Sequence, residues 1–352
     1  MSRQSLKSNN SLKGNEMKKL HYEFTGETTV NLDGVTLRRI RATKDLPNFG
    51  VKSGDEGGWI EKESNLQDNA WVADEAMVSG DAKVYENALV SDNARVFGDA
   101  EVHGSARVYI DAEVSGSARV YENARVYWGA VVSGDARVFG SARVYGVTEV
   151  YGNVLVYGDA EVSGSAVVSG NAKVYGDAKV SDCTSVSGDA KVYGNAKVFG
   201  DAEVFGDTRV YRNAKVSGTA WVYGHAKVGG NARVDGNAKV YGGAKVSGNA
   251  RVFGNAKVFS SVEVCDDARI KKTTHYFHAI THTSTPLLLS LTRQKAGKHL
   301  IRLGYWGGTI DEFEALITQP KRLETVFKGS YKARPEMEIL ASLMRARIER
   351  WK

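Results

Sequence analysis

The sequence predicts a mainly β protein built on a left-handed parallel β-helix, and three observations support this prediction. An aliphatic residue, nearly always valine, recurs at every sixth position from Ile60 to Ile270 without insertion or deletion. Alanine stands two residues before most of these valines, as in AKVYGN at residues 190–195. All four prolines lie outside this region. A fixed short period is typical of repeat architectures, in which each unit packs only on its neighbours.

Each six-residue unit predicts one short strand and one corner. Alternation places alanine and valine on one side of the strand and the residues that flank valine on the other. Glycine, asparagine and aspartate follow, and these residues tolerate the left-handed backbone that a sharp corner needs. Three units then form a triangular coil, and about 12 coils at roughly 4.8 Å each give a rod of about 58 Å. A right-handed solenoid of pentapeptide or larger repeats is the alternative, which the constant period disfavours.

The first and last coils of such a solenoid expose unpaired strand edges, which capping segments usually cover. This predicts separate segments at the two ends of the chain. We predict a disordered tail over 1–16, a small β-rich N-terminal cap over 17–59, the β-helix over 60–272, and a small α+β domain over 273–352. The cap is predicted as β-rich from LHYEFTG and VTLRRIRAT.

Within the C-terminal domain, strands are predicted at Leu287–Leu291 and His299–Leu303. A helix is predicted over 310–318, because Thr309 and Glu312 have the spacing of a capping box. A last helix is predicted over 335–351 from its apolar stripe.

Composition limits the function classes. The chain has 352 residues and a formal net charge of +6, and the excess of positive charge lies mainly at its two ends. Two cysteines, Cys183 and Cys265, are too few for a disulfide framework. We find no apolar run near the ~20 residues of a membrane helix and no signal-peptide core. These features predict a cytoplasmic protein that does not bind membranes.

The repeat resembles the hexapeptide-repeat superfamily, which includes many acyltransferases. LRRIRATKDLPNFGVKSGDEGGWIEKESNLQDNAWV at Leu37–Val72 resembles the start of YdcK-type proteins, enterobacterial hexapeptide-repeat proteins assigned as acetyltransferases by fold alone; GGWI at Gly57–Ile60 is its most specific part. GYWGGTIDEFEALI at Gly304–Ile317 is similar to a small domain of unknown function in phage and prophage proteins. The resemblance implies the fold and a mobile-element origin, and it brings no catalytic residue.

The histidines are the candidate catalytic residues. Acyltransferases of that superfamily use a histidine base and usually a loop that leaves the coils, and this repeat has no such loop. His103 and His225, within the repeat, are predicted to be surface residues. His275, His278 and His282 have a spacing that could suit a metal or a base, but no cysteine or carboxylate joins them and strand alternation explains it. We therefore predict no catalytic residue, no metal and no cofactor.

The outward columns of the coils are the candidate binding sites, because residues eighteen apart lie one above the next. Basic columns beside aromatic columns could bind a polyanion, although stacking of the rings on one another is a structural alternative. The candidate residues are Arg107, Arg125, Arg143, Lys179, Lys197 and Lys215 on one face and Tyr121, Tyr157, Tyr175, Tyr193 and Tyr211 on another. The third face carries little charge around Val131, Val167, Ser169 and Ser187, which predicts self-association as a trimer or dimer.

Two functions from different classes remain. The first is a non-enzymatic scaffold, encoded by a phage or prophage, that presents these columns and its terminal domain to a partner. A protein is the favoured partner, nucleic acid or another polyanion stays open, and host interaction or counter-defence follows only from the resemblance. The second is an acetyl-CoA-dependent acyltransferase with a site between subunits or at the C-terminal cap. A polymer-forming rod is disfavoured by the capping domains.

Overall fold

The computed structural model describes residues 20–281, 288–319, 321–323 and 334–351, so the predicted tail over 1–16 lies outside the described residues. An antiparallel cap comes first, formed by β1 (Tyr22–Val30), β2 (Thr36–Ala42) and β3 (Glu56–Ile60). Strand β3 also pairs in parallel with a strand of the first coils, at Ile60 and Val78. The cap therefore continues one sheet of the β-helix rather than lying beside it.

The β-helix has 34 short strands, β4 to β37, that form three parallel sheets in the left-handed arrangement that the repeat predicts. Each strand pairs with the strand eighteen residues further on, as Val174 does with Val192. We name the three faces by their outward residues. The serine face has strands Met77–Val78, Arg95–Val96, Glu113–Val114, Val131–Val132, Glu149–Val150, Val167–Val168, Ser185–Val186, Glu203–Val204, Trp221–Val222, Lys239–Val240 and Lys257–Val258.

The other two faces follow the same arrangement. The aromatic face has strands Lys83–Val84, Glu101–Val102, Arg119–Val120, Arg137–Val138, Leu155–Gly158, Lys173–Gly176, Lys191–Tyr193, Arg209–Tyr211, Lys227–Val228, Lys245–Val246 and Glu263–Val264. The basic face has strands Trp71–Val72, Leu89–Val90, Arg107–Tyr109, Arg125–Tyr127, Arg143–Tyr145, Glu161–Val162, Lys179–Val180, Lys197–Val198, Lys215–Val216, Arg233–Val234, Arg251–Val252 and Arg269–Ile270. Along the chain, each coil contributes one strand to the basic face, then one to the serine face and then one to the aromatic face.

The core of the β-helix is made by the repeated valines and alanines. The valine and alanine of the repeat unit are fully buried in coil after coil, as at Val168 and Ala166. Burial of each such valine stabilises the fold by about 1.5–3 kcal/mol, so the sum grows with every coil. The backbone bonds the coils together, for example from Lys173 N to Ala190 O at 2.9 Å.

The corners depend on residues that accept a positive φ. At Gly104 the backbone has φ 72°, and a Cβ there would lie 2.6 Å from Glu122 N in the next coil. Only glycine satisfies both constraints without strain. Amide side chains add rungs of hydrogen bonds at another corner, from Asn213 to Asn231 at 3.0 Å and from Asn231 to Asn249 at 3.1 Å.

The C-terminal region covers the last coil. Its described residues form a four-stranded antiparallel sheet, in the order in which the strands occur along the chain, two longer helices and a helical segment at 321–323. Ala268 bridges Gln294, Arg302 pairs with Asp266 at 2.7 Å, and Trp351 Nε1 donates to Thr274 O at 2.7 Å. Its elements are β38 (Tyr276–Ile280), β39 (Leu288–Arg293), β40 (His299–Leu303), β41 (Trp306–Gly308), α1 (Ile310–Ile317) and α2 (Arg334–Glu349).

Helix α1 begins as the sequence predicts. Thr309 and Glu312 form the capping box, with the Thr309 side chain accepting from Glu312 N. In addition, His299 Nε2 accepts a hydrogen bond from Ile310 N at 2.9 Å. This contact requires an unprotonated Nε2. Burial lowers the pKa of His299 below its ordinary value, since a charged imidazole would lose its hydration.

The stability of the C-terminal region is therefore expected to depend on pH. Histidine in the unfolded chain has a pKa near 6.5, whereas the pKa of folded His299 is lower. The contribution of His299 to the free energy of unfolding is therefore fully present above about pH 6.5 and falls as the pH drops below that value. We expect faster hydrogen–deuterium exchange in α1 at about pH 5 than at pH 7.5, after correction for intrinsic rates. His299→Gln keeps an acceptor that does not titrate and should flatten this dependence; an unchanged pH profile in that variant would contradict the assignment.

Candidate binding surface

The aromatic face carries a continuous stack of rings that includes all five tyrosines predicted from the sequence. Neighbouring ring centroids lie 4.6–5.5 Å apart, and the rings are within 14° of parallel. The stack consists of Tyr85, His103, Tyr121, Phe139, Tyr157, Tyr175, Tyr193 and Tyr211. Each interior ring is covered on both sides by its neighbours. A ligand on this face therefore meets ring edges and hydroxyl groups, not ring faces.

The hydroxyl groups of Tyr121, Tyr157 and Tyr175 can donate hydrogen bonds to a ligand. Burial raises the pKa of Tyr121, Tyr157 and Tyr175 above its ordinary value, because it disfavours the phenolate. The stack ends at Tyr211, whose ring leans over Gly229: a Cβ at Gly229 would lie 2.3 Å from Tyr211 Cζ. The glycine thus fixes where the run of rings stops.

The basic face brings the predicted cations into one column. Arg107, Arg125 and Arg143 are directly opposite one another in adjacent strands. Glu161 lies next in the column and pairs with Arg143 at 3.6 Å and with Lys179 at 2.8 Å. Two of the six predicted cations are therefore partly neutralised within the chain.

The other four predicted cations are Arg107, Arg125, Lys197 and Lys215, and none of them has an ion pair with another described residue. Like charges that face each other across paired strands destabilise a sheet. The repulsion between the positive charges of Arg107 and Arg125 is therefore not offset by an ion pair with another described residue.

A second, shorter ring stack lies beside these arginines. Tyr109, Tyr127 and Tyr145 stack at 4.9 Å and 5.0 Å. Burial raises the pKa of Tyr127, so its hydroxyl also stays protonated. Trp128 packs edge-on against this stack, with ring centroids 5.1 Å from Tyr127 and 5.9 Å from Tyr145. The arginine column and these rings thus form one continuous surface.

Three residues of this surface were missed by the sequence prediction. Ile110, Trp128 and Val147 lie at the corner between the basic and serine faces, where the repeat otherwise favours glycine, aspartate and asparagine. Ile110 has φ 49° and Trp128 has φ 57°, a left-handed conformation that is strained for large side chains. The departure from the corner consensus was visible in YIDA and YWGA, and it was the signal that could have found them.

The serine face carries the residues predicted for self-association. Val131, Val167, Ser169 and Ser187 all lie on it and are half-buried. Glu149 stands between Val131 and Val167 in the same column, so the face is less neutral than those four residues suggest. Self-association through it stays a prediction.

The histidines occupy different surroundings. His103 is a rung of the aromatic stack, and His225 is exposed, with Nδ1 3.4 Å from Asp207. His275 is buried: Lys271 N lies 3.3 Å from its Nδ1, and an Arg293 guanidinium nitrogen lies 3.4 Å from its Nε2. Both ring nitrogens of His275 are thus engaged, which is typical of a structural histidine.

The rest of the predicted histidine cluster is only partly described. His278 lies beside Tyr276, with ring centroids 6.0 Å apart, and His282 lies outside the described residues. Within the described part of the chain, no group of three or more histidine, cysteine, aspartate or glutamate side chains is placed to hold a metal ion.

A cleft with a volume of about 660 Å³ lies where the β-helix meets the C-terminal sheet. Its lining includes Lys295, Lys298, Arg302 and the exposed Tyr305. His299 also lines it, but its Nε2 is used by Ile310 N. Of these side chains, Arg302 holds the C-terminal region on the last coil through its pair with Asp266 at 2.7 Å.

Comparison with models of protein families gives a match to part of the β-helix. Residues 130–146 match a family described as the YdcK β-solenoid repeat. The matched segment is one coil of the β-helix, between Trp128 and Val147, so it shows a similar repeat rather than a shared function. A search of the curated proteins gave no match. None of the helices in the described ranges is long and apolar enough to cross a membrane.

Proposed function

We propose that the protein is a non-enzymatic β-helical scaffold that binds an acidic macromolecular partner along its basic face. The observation that carries this proposal is the register of Arg107 and Arg125, which lie directly opposite each other in adjacent strands without an ion pair to another described residue. Carboxylates of a partner would relieve this repulsion and form charge-assisted hydrogen bonds with the guanidinium groups. The neighbouring Tyr127 offers apolar area and a hydroxyl donor, a combination common in protein interfaces.

The regular fold supports the scaffold role. The coils follow one another without a protruding loop, so the cations keep a fixed spacing along the rod. A rigid array loses little conformational entropy on binding. A phage or prophage origin, with a role in host interaction or counter-defence, is part of the proposal that rests only on the likeness of Gly304–Ile317 to phage proteins.

The test compares charge reversal on two faces of the full-length chain. Arg107→Glu combined with Arg125→Glu should weaken retention of the partner by about tenfold or more, and added salt should weaken the native complex too. Lys239→Glu combined with Lys257→Glu is the matched control, because these two lysines are also paired in register but lie on the serine face. Tagged protein is incubated with bacterial lysate, and bound protein, nucleic acid and coenzyme A species are quantified.

The outcomes separate the candidate functions. A stoichiometric acidic partner that is lost only from the basic-face variant supports the scaffold. Equal losses from both variants, or no retained macromolecule, contradict it. Retention of a coenzyme A species alone would favour the acetyl-CoA-dependent acyltransferase instead.

A further inference from the structure

The corner between the basic and serine faces carries a ridge formed by Ile110, Trp128 and Val147, which the proposed function does not explain. We infer that this ridge is the anchor of a protein–protein interface, in which Trp128 inserts into an apolar pocket of a partner that carries carboxylates where it covers the arginines. This inference rests on the proposed function, since it names the partner class and the centre of the same binding surface.

Exposed apolar side chains are concentrated in one part of the rod. In the described β-helix, from residue 66 to 270, the large hydrophobic side chains that are exposed are Trp128 at 55%, Val147 at 74% and Tyr151 at 43%. Trp128 and Val147 lie at the ridge in adjacent coils, and Tyr151 lies on the serine face of the same coil as Val147. A localised apolar patch with a polar border marks an interaction site. Tryptophan, tyrosine and arginine are the residues that most often dominate such interfaces.

The backbone of this corner is left-handed at the position of Ile110 and Trp128. The corner position of Ile110 and Trp128 recurs every eighteen residues, and the chain has a positive φ there throughout. Aspartate or glycine fills the other rungs of this column, namely Asp74, Asp92, Gly146, Gly164, Asp182, Gly200, Gly218, Gly236 and Gly254. Within this column, only Ile110 and Trp128 place a large side chain in the left-handed conformation, and they are adjacent rungs. At other corners of the β-helix the large residues with a positive φ are Glu86, Glu122 and Arg212, all of them charged. Local strain that the fold alone does not require indicates a functional constraint.

The pattern of charges around the ridge favours a protein as its occupant. Arg107 and Arg125 lie on one side of the ridge, and the carboxylates of Asp111 and Glu149 lie at the corner and on the serine-face side. Glu113 lies on the same side but is paired with Arg95 at 3.4 Å. A phosphate backbone that crossed the ridge would meet these carboxylates and be repelled. A protein partner can place acidic residues over the arginines and an apolar pocket over the ridge. A second copy of this chain fits poorly, because two convex corners would touch over a small area.

Site-specific photo-crosslinking tests this inference with the full-length protein. Trp128 is replaced with p-benzoylphenylalanine, and the protein is irradiated in bacterial lysate. Asp182→p-benzoylphenylalanine is the matched control, since Asp182 occupies the same corner column with φ 61° three coils further on. We expect a protein adduct at position 128 with a yield about tenfold above that at 182, and mass spectrometry should locate it in a segment that contains acidic residues.

Two further substitutions make the result specific. Arg125→Glu, combined with the photo-crosslinker at 128, should lower the adduct yield by about tenfold, because it repels the acidic partner. Ile110→Asn should also lower the yield, while the melting temperature stays the same or rises, since asparagine accepts a left-handed backbone better than isoleucine. An adduct that survives Arg125→Glu would contradict the predicted charge.

The remaining outcomes all overturn the inference. These are equal yields at 128 and 182, no adduct at 128, an adduct that nuclease removes, or an adduct with a second copy of this chain. Suppose that the native protein retains a partner, that Arg107→Glu combined with Arg125→Glu abolishes this retention, and that position 128 gives no adduct. The ridge is then not the anchor, and the proposed function stands. If nothing is retained at all, the proposed function itself fails.

Discussion

Val168→Asp is expected to unfold the middle of the β-helix, whereas Val167→Asp should leave it folded. The two valines are adjacent in one strand of the serine face, but Val168 is 0% exposed and Val167 points outward. Val168 pairs with Val150 and Val186 within the column of buried valines. A carboxylate there would be buried without a partner, which costs about 4 kcal/mol or more. Val167→Asp, at an outward position, should lower the free energy of unfolding by under about 1 kcal/mol, including the repulsion from Glu149.

Limited proteolysis with thermal unfolding checks this pair. Because each coil contacts only its neighbours, the damage from Val168→Asp should be local at first, and protease should cut near the substituted coil to give two halves of the rod. Val167→Asp should resist protease as the native chain does. Equal resistance of the two variants would mean that the outward and inward valines had been assigned to the wrong sides.

Gly58→Ala is expected to detach the N-terminal cap from the first coil. A Cβ at Gly58 would lie 2.6 Å from Ala76 O and 2.8 Å from Val72 Cγ1. The carbonyl belongs to the backbone of the β-helix and cannot move aside cheaply, so overpacking should cost about 2–3 kcal/mol. Gly57 beside it is equally confined, with Trp71 Cζ2 at 2.7 Å from its ideal Cβ. The GGWI segment is therefore a joint that glycine makes possible.

Hydrogen exchange over β1 to β3 measures this effect, with Gly243→Ala as the control. Gly243 has no positive φ, and the nearest atom to its ideal Cβ is Ser261 Oγ at 3.5 Å, an ordinary contact. That variant should change stability by under about 1 kcal/mol, or even stabilise the chain slightly. Gly58→Ala should speed exchange in the cap and promote aggregation, because it exposes the end of the sheets. A cap that stays protected in Gly58→Ala would show that the joint can relax.

Much of the fold could be predicted from the sequence because the determinants are local and repeat without a slip. The identity of Val168 as a core residue follows from counting in sixes, and the capping box at Thr309 follows from four residues. The face that each residue occupies also follows from the count. The contacts of the C-terminal region could not be predicted, since they join residues far apart in the chain, as Trp351 and Thr274 are.

The candidate site was predicted only in part, for a different physical reason. The columns that contain Tyr175 and Arg125 follow from spacing, but ring orientation does not, and the close stacking leaves ring edges rather than faces for a ligand. Trp128 and Ile110 escaped because a corner residue does not alter the sixfold count. Their effect depends on a backbone angle, which periodicity alone does not reveal.

The unbroken pairing of each strand with the one eighteen residues later makes the rod an adjustable spacer. Removal of eighteen residues between Val147 and the C-terminal region would bring that region about 4.8 Å closer to Trp128 without turning it. Removal of six would turn it by a third of a revolution and barely shorten the rod. Evolution can thus tune the distance and the direction of the terminal domain separately, simply by gaining or losing whole repeats.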